Sequence, residues 1–265
     1  MQTYGLIGYP LSHSFSKRFF TAYFEKESID AEYLNFEISN LSLLPAVIKE
    51  HPGLIGFNVT IPYKQAIIPY LDSCDPKAAA INAVNTVKVD RTDGTPRLRG
   101  FNTDLIGFRD SLRPLLQTHH SQALVLGTGG ASKAVVAVLD DLSIPSLLVS
   151  RDSKPGTSIS YKDLTRKLLG EHTIIINTTP LGTFPKIEGC PEIPFEYITE
   201  RHLLFDLVYN PPVTQFLQKG AERGATIKNG YEMLELQALA AWKIWNELEN
   251  GKMKNSLHRI CNPLA

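Results

Sequence analysis

The chain has little of what marks secreted, metal-binding or nucleic-acid-binding proteins. Its three cysteines, Cys74, Cys190 and Cys261, are far apart, and none has the C-x-x-C spacing of a zinc or redox site. Their odd number argues against a disulfide framework and predicts a reducing, cytoplasmic setting without a bound metal. Lysine and arginine number 27, as do aspartate and glutamate, so no net charge attracts nucleic acid or anionic lipid.

Long apolar runs are also missing. Nowhere do about 18 apolar residues follow one another, so the sequence predicts no membrane-spanning helix. The first eight residues are too few for a signal peptide and lack its charged flank, and we expect them to form a strand. The sequence does not distinguish a monomer from a homodimer.

A glycine-rich turn is the most informative feature that is present. Residues 127–132 read Gly-Thr-Gly-Gly-Ala-Ser, between a strand predicted over 123–126 and a helix predicted over 131–142. Glycine lets the backbone turn sharply and approach a phosphate, which the first N–H groups of the helix then bind. The pattern is G-x-G-x-x-S rather than G-x-G-x-x-G, so a turn without a ligand stays open as an alternative.

The next predicted strand, 146–150, bears on the choice of cofactor. It ends in Ser150-Arg151-Asp152. An arginine fork suits the 2′-phosphate of NADP, whereas an acidic side chain suits the bare ribose of NAD. Arg151 favours NADP, and Asp152 keeps NAD open.

The connection from Asp152 to Ser158 is too short for the usual crossover helix. We therefore expect that a strand is either lost here or changes its place in the sheet.

Strand and helix patterns alternate along the chain. Strands are predicted over 3–7, 32–36, 56–60, 83–89, 98–100, 123–126, 146–150, 173–177, 203–207 and 225–227, and helices over 16–27, 41–50, 64–71, 103–116, 131–142 and 231–249. This alternation predicts an α/β protein of two domains. A mixed substrate-binding domain would comprise 1–104 and be completed by 231–265. A Rossmann-like, doubly wound parallel sheet would comprise 105–230, with a ligand cleft between the two.

Polar residues lie where strands of the first part end. The two-residue period puts Asn58 and Thr60 on one strand face. Lys64 begins a predicted helix, where its charge opposes the helix dipole, so a functional role competes with a merely solvated lysine. Ser14 and Ser16 open the first helix as caps or ligand contacts. Asn102 or Thr103 is expected to cap the helix that starts at Asp104.

Together these segments resemble the shikimate dehydrogenase family, in the family's order and over nearly the whole chain. The matching segments are 8–16 (GYPLSHSFS), 58–64 (NVTIPYK), 83–86 (AVNT), 100–104 (GFNTD), 127–131 (GTGGA), 177–182 (NTTPLG), 206–211 (DLVYNP) and 230–234 (GYEML) with Gln237. The combination of N-V-T-x-P-x-K with G-x-N-T-D is highly specific. The resemblance implies reversible, NADPH-dependent reduction of 3-dehydroshikimate to shikimate in aromatic amino-acid and chorismate biosynthesis.

The resemblance also implies roles for single residues. Lys64 and Asp104 match the catalytic pair. The substrate would be held by Ser14, Ser16, Thr60, Lys64, Asn85, Asp104, Tyr209 and Gln237, with Asn58 a weaker candidate. The cofactor would be held by Gly127, Thr128, Gly129, Gly130, Ala131, Ser150, Arg151, Leu207 and Gly230. The alternatives are a relative that uses quinate and NAD, or a ligand-sensing member without turnover.

Overall fold

The computed structural model describes residues 1–11, 15–154 and 156–247. Within these residues the chain divides into two compact units. One comprises Met1–Phe101 with the described residues from Ala238 onward, and the other comprises Asn102–Gln237. Each unit has its own six-stranded sheet, and the predicted α/β class is confirmed. No helix in the described ranges is long and apolar enough to cross a bilayer.

The first unit is built on a mixed sheet. Its elements are β1 (Gln2–Gly8), α1 (Phe15–Lys26), β2 (Ala31–Glu37), α2 (Leu44–Glu50), β3 (Leu54–Val59), β4 (Ser73–Cys74), α3 (Pro76–Ala80), β5 (Thr86–Asp90) and β6 (Arg97–Phe101). The strand order is β2-β1-β3-β5-β6-β4. β1 is parallel to β2 and β3, whereas β5 is antiparallel to β3 and β6. The carboxyl ends of β1 and β3 therefore meet the start of β5 at one edge of the sheet.

The helix predicted over 64–71 is wrong. Residues 64–67 form turns, and the helical part is one 3-10 turn at Ile68–Tyr70. Pro69 explains the difference, because it lacks an N–H group and disfavours helical backbone at the residue before it. Lys64 therefore does not begin a helix, and the helix dipole no longer argues for its role.

The second unit is built on a parallel sheet. Its elements are α4 (Asp104–Leu112), β7 (Ala123–Leu126), α5 (Gly130–Asp141), β8 (Ser146–Ser150), β9 (Ile159–Ser160), α6 (Arg166–Glu171), β10 (Ile174–Asn177), β11 (Leu203–Asp206), α7 (Gln215–Ala221) and β12 (Thr226–Lys228). The order β12-β11-β10-β7-β8-β9 is the doubly wound order of a dinucleotide-binding sheet. The strand order reverses between β7 and β10, which is where such sheets bind their ligands.

The expectation that a strand is lost or moved after Asp152 is wrong on both counts. β9 pairs in parallel with β8, with Val149 opposite Ile159 and Ser150 opposite Ser160. The strand keeps the usual place in the order but has only two residues. Because a two-residue strand at the edge of a sheet offers little area for a helix to pack on, a loop can replace the crossover helix.

The helix α8 (Tyr231–Asn246) starts in the second unit and enters the first at Ala238. In the first unit Trp245 lies on β3, where a Cβ atom built on Gly56 would be 2.2 Å from the indole ring. The indole N–H donates to the Val87 carbonyl at 3.0 Å. With α1, this part of α8 buries one face of the first sheet, while α2 covers a core on the opposite face.

Candidate functional site

Three buried polar side chains meet in the first unit, where β3 ends and β5 begins. Asn58, Asn85 and Thr86 are each at most 4% exposed. The Asn58 amide donates to the Asn85 carbonyl at 3.2 Å and to the Thr86 hydroxyl at 3.1 Å. The Thr86 hydroxyl in turn donates to Asn85 Oδ1 at 3.1 Å. Because the amide hydrogens of Asn58 are used inside the protein, Asn58 orients its neighbours.

Two more of the predicted substrate residues lie at the same edge of this sheet. Thr60 follows β3 directly, and its N–H donates to the Ile7 carbonyl at 2.9 Å. Lys64 is half-buried, and its carbonyl accepts the Val84 N–H at 2.7 Å. This bond holds the turn that carries Lys64 against the segment that carries Asn85. The first unit thus gathers polar side chains from two loops.

The first turn of α1 supplies another predicted contact. Ser16 is half-buried and lies near the hydroxyl of Tyr33 on β2, where it offsets part of the rise that burial causes in the pKa of Tyr33. Ser14, the other serine predicted here, lies outside the described residues.

In the second unit, the segment before α4 supplies a further polar group of residues. Asn102 and Thr103 are buried, and Asp104 is half-buried. Asn102 Oδ1 accepts the Leu105 N–H at 3.3 Å, so Asn102 caps α4. The Thr103 hydroxyl donates to Gln237 Oε1 at 3.3 Å. Gln237 on α8 is thereby placed next to the residue that precedes Asp104.

The glycine turn of the second unit has the shape that a nucleotide diphosphate needs. Gly127 has a φ of +104°, and a Cβ atom there would be 2.9 Å from the side chains of Thr178 and Thr179. A Cβ atom built on Gly129 or Gly130, at the start of α5, would meet nothing within 4 Å. The first turn of α5 contains no acidic residue, and its first N–H groups have no partner within the helix. An anion fits here on both steric and electrostatic grounds.

Ser132 stands where the usual fingerprint has its third glycine. Its side chain is only 3% exposed, and its hydroxyl donates to the Gly129 carbonyl at 2.7 Å. The serine therefore bonds back to its own turn and satisfies its polar group there. A serine in place of the third glycine therefore does not obstruct the glycine turn.

The predicted adenosine contacts lie at the carboxyl end of β8. Ser150 is half-buried, while Arg151, Asp152 and Lys154 are exposed. Burial raises the pKa of Tyr161, and the positive charge of Arg151 offsets part of this rise. The guanidinium is thus close to the residue that follows β9, at the strand end where Rossmann proteins bind ribose or its phosphate.

A buried carboxylate, for which no sequence pattern predicted a role, ties together strand ends near the glycine turn. Asp206 is fully buried and accepts hydrogen bonds from Asn177 (2.9 Å), Thr214 (2.5 Å) and the Val208 N–H (3.0 Å). Burial raises the pKa of Asp206 to about 6, against the lowering effect of these hydrogen bonds. The signal in the sequence was a single charge at the end of an otherwise apolar strand.

The residues predicted for the nicotinamide side come together after β11. A Cβ atom on Gly230 would be 2.2 Å from the Leu207 carbonyl oxygen, so only glycine fits there without a shift. The Gly230 N–H donates to the Val208 carbonyl at 3.1 Å. Tyr209, a predicted substrate contact, directly follows Val208 in the sequence and is half-buried.

The predicted site residues thus fall into two sets. Thr60, Lys64 and Asn85 are gathered in the first unit, whereas Asp104, Gln237 and the nucleotide-binding residues lie in the second. The pairing of Lys64 with Asp104 stays a prediction. Among the described residues, no group of three or more histidine, cysteine or acidic side chains is placed to hold a metal ion.

Comparison with known proteins identifies the family. A family model described as the shikimate dehydrogenase substrate binding domain matches residues 6–87. The NADP(+) shikimate dehydrogenase of Clostridium beijerinckii is 37% identical over 270 residues, which cover 98% of each chain. The solved chorismate mutase/shikimate 5-dehydrogenase fusion protein from Clostridium acetobutylicum is 35% identical, with a TM-score of 0.81, and the match covers 94% of this chain and 93% of that one.

A third relative was solved with ligands. Shikimate 5-dehydrogenase from Thermus thermophilus, in complex with NADP(H) and shikimate, is 29% identical with a TM-score of 0.80 over 94% of each chain. The resemblance drawn from the short segments is therefore confirmed along almost the entire sequence. The chain belongs to the shikimate dehydrogenase family.

Proposed function

We propose that this protein catalyses the reversible, NADPH-dependent reduction of 3-dehydroshikimate to shikimate, a step of chorismate and aromatic amino-acid biosynthesis. The observation that carries the proposal is the 37% identity to an NADP(+) shikimate dehydrogenase along 98% of both chains. The open glycine turn and the buried amide network of the first unit give that identity a physical basis.

NADP is the cofactor, and the second unit has the features to hold it. Bound NADPH supplies the hydride that the reduction requires. Gly127, Thr128, Gly129, Gly130 and Ala131 would hold the pyrophosphate, Ser150 and Arg151 the adenosine phosphate, and Leu207 and Gly230 the nicotinamide side. Arginine at the end of β8 favours the phosphorylated ribose.

Lys64 and Asp104 carry the proton chemistry in this proposal. Negative charge develops on the substrate's carbonyl oxygen during reduction, and a cation or proton donor within hydrogen-bond distance stabilises it. Lys64 takes this role, while Asp104 holds the ammonium group and accepts from a substrate hydroxyl. The substrate's carboxylate and hydroxyls are bound by the remaining contacts, Ser14, Ser16, Thr60, Asn85, Tyr209 and Gln237.

The test is a small matrix of substrates and cofactors. Shikimate and quinate are each combined with NADP and NAD, and reduced nicotinamide is followed by its absorbance. We expect turnover mainly with shikimate and NADP. Higher activity with quinate and NAD would instead identify the alternative family activity, and binding without turnover would identify a ligand-sensing protein.

Substitution of Lys64 tests the mechanism. We expect Lys64→Ala to lower kcat by at least about a hundredfold, the low end for a general acid–base group, with substrate affinity little changed. The matched control is Lys49→Ala, an exposed lysine on α2 of the same unit. Near-normal turnover of Lys64→Ala would remove this lysine from the mechanism.

The setting of the protein is also a proposal. The scattered cysteines support a cytoplasmic location, because Cys74 and Cys190 are free thiols. The partner is a small-molecule substrate, and the protein acts as a monomer or homodimer. Sedimentation at several concentrations distinguishes the two states.

A further inference from the structure

A tyrosine that is not among the predicted site residues is hydrogen-bonded to the buried amide network of the first unit. Tyr33 lies on β2, is only 3% exposed and stacks on Phe20, with ring centroids 4.8 Å apart. Its hydroxyl donates to Asn58 Oδ1 at 2.8 Å. β1 lies between β2 and β3 in the sheet, so the ring reaches across a neighbouring strand to make this bond.

The same hydroxyl lies near the start of α1. Burial raises the pKa of Tyr33 far above its ordinary value, and the nearby Ser16 side chain offsets part of this rise, so the hydroxyl stays neutral. A phenylalanine here would keep the ring and its stacking but lose the bond to Asn58.

On the far side of Asn58, the network continues to Asn85. With its oxygen held by Tyr33, Asn58 directs its amide hydrogens to the Asn85 carbonyl and the Thr86 hydroxyl. The Thr86 hydroxyl then fixes the Asn85 side chain. Every bond in this path is buried, where a lost partner costs more than at the surface.

We propose that Tyr33 is a positioning residue for substrate binding, whose hydroxyl sets the orientation of Asn85 through Asn58. The proposal rests on the proposed function, since it assigns the Asn85 side chain to the substrate. Tyr33 touches no reacting atom, so its removal affects substrate affinity more than the chemical step. Cofactor binding, which belongs to the second unit, is unaffected.

The chain offers a matched control in the same aromatic cluster. Tyr4, on β1, is fully buried in that cluster with Tyr33, and its hydroxyl lies near Gln2 and Asn246, away from the amide network. Tyr4→Phe and Tyr33→Phe remove the same atom from the same core. A difference between them therefore reports the network and not the loss of a buried hydroxyl in general.

The experiment measures steady-state kinetics of both variants with shikimate and NADP. We expect Tyr33→Phe to raise the KM for shikimate by about fivefold to tenfold, with kcat changed less than twofold and the KM for NADP unchanged. That increase corresponds to one lost neutral hydrogen bond, about 1 kcal/mol. Tyr4→Phe is expected to leave all three constants near the wild-type values. Equal shikimate KM values for the two variants would overturn the proposal.

A double-mutant cycle tests the path through Asn58. If Tyr33 acts through that amide, Tyr33→Phe adds little to the KM of Asn58→Ala, whereas independent effects multiply. Urea unfolding of each variant separates lost stability from lost affinity. If the wild-type protein does not oxidise shikimate at all, the proposed function fails. If it does and the cycle is multiplicative, the inference about the path fails alone.

Discussion

At the scale of single residues, the structure explains two departures from the general pattern of dinucleotide-binding sites. Ser132 replaces a glycine but returns its hydroxyl to the Gly129 carbonyl, so the change costs little. Arg151 is followed by an acidic residue, yet only the guanidinium offers a phosphate several donors in a planar fork. Arg151 is exposed and therefore accessible to a cofactor.

The role of Arg151 can be tested by changing both the residue and the cofactor. We expect Arg151→Ala to raise the KM for NADP by about tenfold or more, because a hydrogen-bonded pair with a charged group is lost. The KM for NAD, which lacks the 2′-phosphate, should change much less. Lys154→Ala is the control, as an exposed cation three residues further on. Equal increases for the two cofactors would contradict the assignment.

At the scale of elements, a helix or strand could be predicted from the sequence when it was long and when no proline interrupted it. Long periodic segments such as α5 and α8, and the strands of the second sheet other than β9, agree with their predicted bounds to within a few residues. The two-residue strands β4 and β9 and the short helices α3, α6 and α7 lack enough turns or alternation to show a period. The false helix over 64–71 had apolar spacing, but Pro69 prevented it.

Most residues of the candidate site were predicted from the family resemblance, because they lie in contiguous segments at strand ends, and their roles stay predictions. The supporting groups could not. Tyr33 resembles any core tyrosine until the sheet order is known, since its partner lies on a strand two places away. Asp206 likewise gains its contact with Asn177 only when β10 and β11 lie side by side.

The carboxylate that joins these strand ends gives stability a defined pH dependence. The pKa of Asp206 is raised from 3.8 to about 6, so the folded state binds its proton more tightly than the unfolded state. Its contribution to the free energy of unfolding is therefore greatest below about pH 4 and falls as the pH rises to about 6. The total fall is roughly 3 kcal/mol for a shift of this size.

Asp206→Asn should remove this component of the pH dependence. We expect the free energy of unfolding of the wild type to fall relative to that of the variant as the pH rises from 4 to 7. Urea unfolding at several pH values in this range measures both. Asp140→Asn, which alters an exposed carboxylate on α5, is the control for net charge. Parallel pH curves for wild type and Asp206→Asn would show that Asp206 does not titrate in this range.

At the scale of the whole molecule, the first unit is not continuous in sequence. Its sheet comes from Met1–Phe101, but one face is covered by the part of α8 that follows the second unit. Trp245 packs directly on Gly56, where the indole occupies the space that a side chain would fill.

Filling that space should destabilise the first unit. We expect Gly56→Ala to lower the free energy of unfolding by about 1–3 kcal/mol, the usual cost of overpacking, because the indole must shift away from the Val87 carbonyl. Gly53→Ala is the control, since a Cβ atom there would have its nearest neighbour at 3.5 Å. Equal melting temperatures for the two variants would mean that Trp245 moves without cost.

The late position of α8 has a consequence for biosynthesis. Translation is vectorial, so the strands of the first sheet leave the ribosome long before the tryptophan that shields them has been made. Until then α1 covers the aromatic side of β1 alone, and the part that α8 will bury is open to water and to other nascent chains. The completed nucleotide-binding half can fold during this interval, whereas the half translated earliest must wait. Chaperones that cover apolar surface are most needed in this window.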